Sequence, residues 1–62
     1  MPIIEVKAFE QRFEDEQTTG RLIERLTEAL VDVYGEAVRE ETWVILDGVP
    51  PPRWGFGGKV RG

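Results

Sequence analysis

Pro2 is the residue of this sequence with the most unusual chemical potential. An initiator methionine that precedes a small residue is normally removed, and removal of Met1 would leave Pro2 at the N-terminus. A free N-terminal proline is a secondary amine, whereas ordinary α-amino groups titrate at about 7.7 to 8.0. Burial beside arginines would lower the pKa of such an amine toward neutrality. The dipeptide therefore predicts a general base suited to neutral pH; the alternative is that proline only provides an irregular start to the chain.

Arginines and aromatic residues are the side chains that could accompany such a base. A guanidinium group binds a carboxylate through two parallel hydrogen bonds, so an arginine close to the base could act as a carboxylate clamp. Arg39 has acidic neighbours at positions 36, 40 and 41, so a surface ion pair is its alternative role. Trp54 opens a glycine-rich run and is expected either to line a pocket or to pack at an interface.

Length and composition limit the class of protein. A chain of 62 residues forms one domain at most, residues 1–62, and a domain of this size buries only about 60% of its surface on folding. The sequence contains neither cysteine nor histidine, so we expect no disulfide and no Cys/His metal site. Oligomerisation is the expected source of stability.

The charge and hydropathy patterns indicate the cellular setting. The net charge of −4 argues against general binding to nucleic acids or anionic membranes. No apolar run approaches the roughly 20 residues that a membrane-spanning helix needs. We therefore expect a soluble, cytoplasmic protein.

Two apolar patterns predict a strand and a helix in the first half of the chain. Residues 2–9 are predicted to form a strand, because Ile4, Val6 and Ala8 alternate with Glu5 and Lys7 in the period of a half-buried strand. Acidic residues at positions 14–16 mark a helix start, and the helix is predicted to run to about Tyr34, with Gly35 just beyond its end. Its apolar stripe consists of residues at three- and four-residue spacings: Leu22, Ile23, Leu26, Ala29, Leu30, Val33 and Tyr34.

The second half of the chain predicts one more strand and a turn. Residues 42–47 are rich in β-branched and aromatic side chains. The segment 48–53 contains three prolines and is predicted to lie outside any central strand. Residues 54–58 are predicted to form a glycine-rich turn, and residues 59–62 a short tail.

The predicted order of strand, helix and strand favours an α+β fold with a β-α-β protomer. Strands joined by a long crossover helix pair in parallel. Two strands and one helix leave one sheet face and both sheet edges uncovered, so we expect a partner chain to cover them.

Taken together, these segments resemble the small tautomerases of the 4-oxalocrotonate tautomerase family over nearly the whole chain. The likeness rests on an ordered set of short motifs: Pro2 before a strand, Glu10-x-Arg12, Asp15-Glu16-Gln17, Leu22-Ile23, Leu26-Thr27-Glu28-Ala29, Gly35, Trp43-Val44-Ile45, Val49-Pro50 and Trp54-Gly55-Phe56-Gly57-Gly58. The resemblance implies a protomer that pairs into a dimer with a four-stranded sheet, and a hexamer built as a trimer of dimers.

The resemblance also implies a function: a cofactor-independent keto-enol tautomerase acting on a small carboxylated enol or α-keto acid. In such proteins the N-terminal proline, here Pro2, moves the proton. Counting along the motifs, the arginine that binds substrate falls on Arg12, and the aromatic pocket residue falls on Trp54. The family's second arginine falls on Trp43, so Arg39 or Arg53 would have to supply that charge. Trp43 itself is expected to pack, or to replace the arginine as a pocket wall.

Two alternatives remain open at this point. Within the same family, a protonated Pro2 would act as an acid in hydration, dehalogenation or decarboxylation. The presence of Trp43 where the family has its second arginine instead favours a non-catalytic subunit of a hetero-oligomer. No metal and no cofactor is implied by any of these hypotheses.

Overall fold

The computed structural model describes residues 1–61, and its centre is a pair of parallel strands. Strand β1 spans Ile3–Phe9 and strand β2 spans Trp43–Val49. They pair in register from Ile3 beside Trp43 to Phe9 beside Val49. Helix α1, Glu16–Tyr34, connects them, which confirms the α+β protomer with a parallel pair and one crossover helix.

Local signals at both ends of α1 explain its bounds. The Asp15 carboxylate caps the first turn by accepting hydrogen bonds from the backbone N–H and the hydroxyl of Thr18 at 3.3 and 2.6 Å. These bonds, chiefly the one from the hydroxyl, lower the pKa of Asp15. At the other end Gly35 has φ 101° and its N–H donates to the Val31 carbonyl at 2.8 Å, the role predicted for it. The helix continues unbroken through Gly20.

Helix α1 covers one face of the sheet and leaves the other open. In both strands the residues at even positions are half-buried. Those at odd positions are exposed, except for Phe9 and Val49 at the ends of the strands, which are half-buried. The alternation predicted for β1 is thereby confirmed. On the open face Lys7 and Asp47 form a cross-strand ion pair of 3.1 Å, whose hydrogen bond raises the pKa of Lys7.

The apolar stripe of α1 is covered only in part. Leu22, Leu26 and Leu30 are half-buried, as the pattern predicts. By contrast, Val33 and Tyr34, the last two residues of α1, are 73% and 72% exposed. Among residues 1–61 no side chain is fully buried.

Three short 3₁₀ helices and a hairpin complete the described chain. The 3₁₀ helices are Glu10–Phe13, Glu36–Glu41 and Pro51–Arg53. Strands β3, Gly55–Phe56, and β4, Lys59–Val60, form an antiparallel hairpin. Its turn is Gly57-Gly58, with φ of 57° and 85°, values that favour glycine in a two-residue hairpin loop.

Three sequence-based boundaries were wrong. The predicted turn over residues 54–58 is confined to Gly57-Gly58, because Gly55 and Phe56 belong to β3. The second strand was expected to end at Asp47, but it continues through Gly48 and Val49 because both pair with β1 before the prolines begin. Residues 59–62 were expected to be a tail, yet Lys59 and Val60 pair with the preceding strand.

The Cα radius of gyration is 14.3 Å, whereas a compact domain of this length has about 11 Å, so the chain is extended.

Candidate functional site

Pro2 lies at the amino end of the parallel sheet, directly before β1. Its carbonyl accepts a hydrogen bond from the backbone N–H of Trp43 at 3.0 Å, so the starts of both strands are tied together at this residue. The Pro2 side chain is half-buried. Met1 precedes it, so the Pro2 nitrogen is here an amide nitrogen, which is not basic.

Arg12 lies at the opposite end of the sheet. It belongs to the Glu10–Phe13 turn, which follows β1 immediately, and the seven residues of β1 span about 20 Å. The four-residue turn is too short to cross back over that length. Within one chain, therefore, Pro2 and Arg12 do not meet.

Trp54 also lies at the carboxyl end of the strands, on the same side of the sheet as Phe9. Its indole N–H donates to the Val49 carbonyl at 3.0 Å, and its ring lies 4.5 Å from the ring of Phe9 at an interplanar angle of 41°. The ring of Phe56 stacks at 6.5 Å on Trp54. These contacts hold the base of the β3–β4 hairpin in place and leave Trp54 half-exposed.

Beside this aromatic cluster lies an open cleft of about 420 Å³. It is lined by Phe9, Glu10, Gln11, Glu14, Pro51 and Arg61. Sequence analysis singled out neither Phe9 nor Arg61 as a site residue. The sequence marks Phe9 only as the last apolar residue of β1. Nothing in the sequence marks Arg61, because the β3–β4 hairpin is what positions it. Its backbone N–H donates to the Trp54 carbonyl at 2.9 Å.

Arg39 lies in the Glu36–Glu41 turn that leads into β2, toward the Pro2 end of the sheet. Its guanidinium group binds Glu28 of α1 at 2.6 Å and also forms an ion pair with Glu36. The hydrogen bonds to Glu36 and Glu28, in that order, raise the pKa of Arg39, and the same contact lowers the pKa of Glu36. Arg39 is therefore already occupied by two carboxylates of its own chain. Arg53, the remaining candidate, lies exposed in the Pro51–Arg53 turn.

The chain thus separates its candidate groups into two sets. One end of the sheet holds Pro2, Trp43 and the neutralised Arg39, and the other holds Arg12, Arg53 and Trp54. A site that contains both a prolyl base and a free arginine clamp needs the amino end of one copy to meet the carboxyl end of another.

Comparison with known protein families identifies the chain. The family described as "Tautomerase enzyme" matches residues 2–62, which is the whole chain from Pro2 onward. The chain belongs to the tautomerase family. A comparison with curated proteins gave no match.

Membership in the tautomerase family confirms the resemblance to the 4-oxalocrotonate tautomerases and agrees with the observed β-α-β fold. It supports an enzymatic function of the tautomerase superfamily. In residues 1–61, no helix is both long enough and apolar enough to cross a membrane.

Proposed function

We propose that this protein is a cofactor-independent keto-enol tautomerase for a small carboxylated enol or α-keto acid, with Pro2 as its general base after Met1 is removed. The observation that carries the proposal is the family match, which extends over the whole chain from Pro2. Removal of Met1 would convert the Pro2 nitrogen from an amide into a secondary amine whose lone pair can accept a proton.

The proposed reaction moves one proton and leaves the oxidation state of the substrate unchanged. The neutral prolyl amine takes the proton from the enol O–H, and the oxygen lone pair forms the carbonyl double bond. The electron pair of the former carbon–carbon double bond then takes the proton back from the prolyl ammonium, at the carbon next to the carbonyl. An arginine bound to the substrate carboxylate would stabilise the negative charge that develops on the enolate-like transition state.

We further propose that the site is assembled between copies of the chain, in a hexamer built as a trimer of dimers. Three observations support assembly: no side chain among residues 1–61 is fully buried, one sheet face is open, and Ile3 and Ile45 on that face are 52% and 44% exposed. Arg12 and Trp54 of one protomer would then approach Pro2 of another. Arg12 is the proposed carboxylate clamp, and the Trp54 ring would exclude water from the prolyl amine.

Arg39 has a conditional role in this proposal. Its guanidinium group would reach a substrate carboxylate only by releasing Glu28 or Glu36, which hold it in the structure. We therefore assign the main binding role to Arg12 and a secondary one to Arg39.

The experiment that tests the proposal is the ketonisation of phenylenolpyruvate by wild-type protein and by Pro2→Ala. Intact mass first establishes that Met1 has been removed from both proteins. We expect the alanine variant, whose primary amine is less basic and differently shaped, to lose about 100-fold or more in kcat/KM, the size of a general-base contribution. Equal rates in the two proteins would remove Pro2 from the mechanism.

A pH-rate profile separates base chemistry from acid chemistry. If Pro2 is the base, the rate falls as pH drops below the pKa of the prolyl amine. If protonated Pro2 instead acts as the acid in hydration, dehalogenation or decarboxylation, activity is lost as pH rises above that pKa.

A second candidate function is a non-catalytic subunit of a hetero-oligomer. The observation in its favour is Trp43, which stands where the related tautomerases place an arginine. This candidate predicts that native protein retains Met1, or that no Pro2-dependent turnover is found in a protein that has lost it.

A further inference from the structure

Trp43 is the side chain that the fold places beside the start of β1. Its backbone N–H bonds to the Pro2 carbonyl at 3.0 Å, and it lies next to Ile3 in the parallel register. The side chain is 54% exposed, on the sheet face that α1 does not cover. The Pro2 end of the sheet therefore presents a large aromatic surface.

The one cation of β1 and the one cation of the Glu36–Glu41 turn are both held by carboxylates. Arg39, four residues before Trp43, binds both Glu28 and Glu36. One positive and two negative charges leave this cluster with a net negative charge. Lys7, further along β1, is paired with Asp47 at 3.1 Å.

The exposed Trp43 ring and the net negative charge of the Arg39 cluster together disfavour the binding of a second substrate carboxylate and favour the binding of an apolar group. A carboxylate that approaches an indole face next to a net negative cluster loses water and gains no unpaired cation from β1 or from the Glu36–Glu41 turn in exchange. An aryl or alkenyl group in the same place gains aromatic contact and buries apolar surface.

We infer that Trp43 makes the site select monocarboxylates whose far end is aromatic or otherwise apolar, in preference to dicarboxylates. The inference rests on the proposed function, because it takes the bound carboxylate to be held by Arg12 of another protomer. It adds the class of substrate: enols of α-keto monoacids with an apolar substituent.

Two unreactive acids test the selectivity without requiring catalysis. Cinnamate and fumarate differ only in a phenyl group that replaces one carboxylate, and neither has an enol to convert. Calorimetric titration of the assembled protein, with Met1 removed, should give a dissociation constant at least about tenfold lower for cinnamate. Trp43→Arg should reverse the order, and Trp43→Phe should retain it.

Equal binding of the two acids, tighter binding of fumarate, or binding of neither would overturn the inference. Native mass spectrometry of the variants supplies a further check. If both Trp43→Phe and Trp43→Arg dissociate the assembly, Trp43 is an interface residue and the inference fails.

A catalytic comparison distinguishes failure of this inference from failure of the proposed function. Phenylenolpyruvate and the enol of oxaloacetate again differ by phenyl against carboxylate, and kcat/KM should favour the former by a similar factor. If turnover depends on Pro2 but is equal for the two enols, only the proposed selectivity is refuted. If cinnamate binds more tightly than fumarate but no turnover depends on Pro2, only the proposed function is refuted.

Discussion

Replacing Gly48 by alanine should place a methyl group inside the turn that carries Arg12. A Cβ built at Gly48 lies 2.8 Å from the Cα of Glu10 and 3.0 Å from its Cβ, and 3.3 Å from a ring carbon of Phe13. The two Glu10 atoms belong to the backbone or are fixed to it, so no side-chain rotation relieves the contact. The Glu10–Phe13 turn must move away from β2.

The expected cost follows from this overlap. Adding a methyl group to a close-packed site typically destabilises a protein by about 1–3 kcal/mol. In a domain of this size each kcal/mol lowers Tm by about 4–8 °C, so we expect a loss on the order of 10 °C. Because the displaced turn carries the proposed carboxylate clamp, KM for phenylenolpyruvate should also rise more than kcat falls.

Gly20→Ala is the matched control. Nothing lies within 4 Å of a Cβ at Gly20, which sits inside α1, so the same substitution should stabilise the protein by about 0.5–1 kcal/mol. Both variants are melted by circular dichroism at one protein concentration, since the Tm of an oligomer depends on concentration. A Gly48→Ala protein that melts at or above the wild-type temperature would refute the close approach of the turn to β2.

Three further predictions follow from the charges and the open face. The lowered pKa of Asp15 means that its contribution to stability is present above its unfolded-state pKa and is lost as pH falls through the folded-state value. The Tm of Asp15→Asn should therefore depend less on pH than the wild-type Tm between roughly pH 6 and 2.5; parallel curves would contradict this. Arg12→Ala should raise KM for phenylenolpyruvate by about 10- to 100-fold, whereas Arg39→Ala should change it less than about threefold; equal effects would restore Arg39 as a main clamp. Ile45→Lys should convert the assembly to smaller species in native mass spectrometry, and an unchanged mass would show that the open face is not an interface.

Much of the protomer was predictable because its signals are local. Alternation along β1, acidic residues before α1 and Gly35 after it each act through neighbours a few residues away. The position of Pro2 ahead of a strand and the motif order that indicates the tautomerase family are likewise properties of the chain itself.

The ends of β2 and the hairpin depended on contacts between distant segments. Gly48 and Val49 look like the start of a proline-rich loop, yet they remain in the strand because β1 offers them a pairing partner. Lys59 and Val60 have no strong strand pattern, and they pair because two glycines turn the chain back on itself.

The sequence by itself determined the β-α-β protomer, the family and the place of Pro2 ahead of the first strand, since these rest on short-range pattern and motif order. Only the tertiary structure decided that Arg39 is held by Glu28 and that Trp54 packs on Phe9. The physical reason is that residues far apart in sequence are brought together, or kept apart, by strand register and helix packing, which no local window contains.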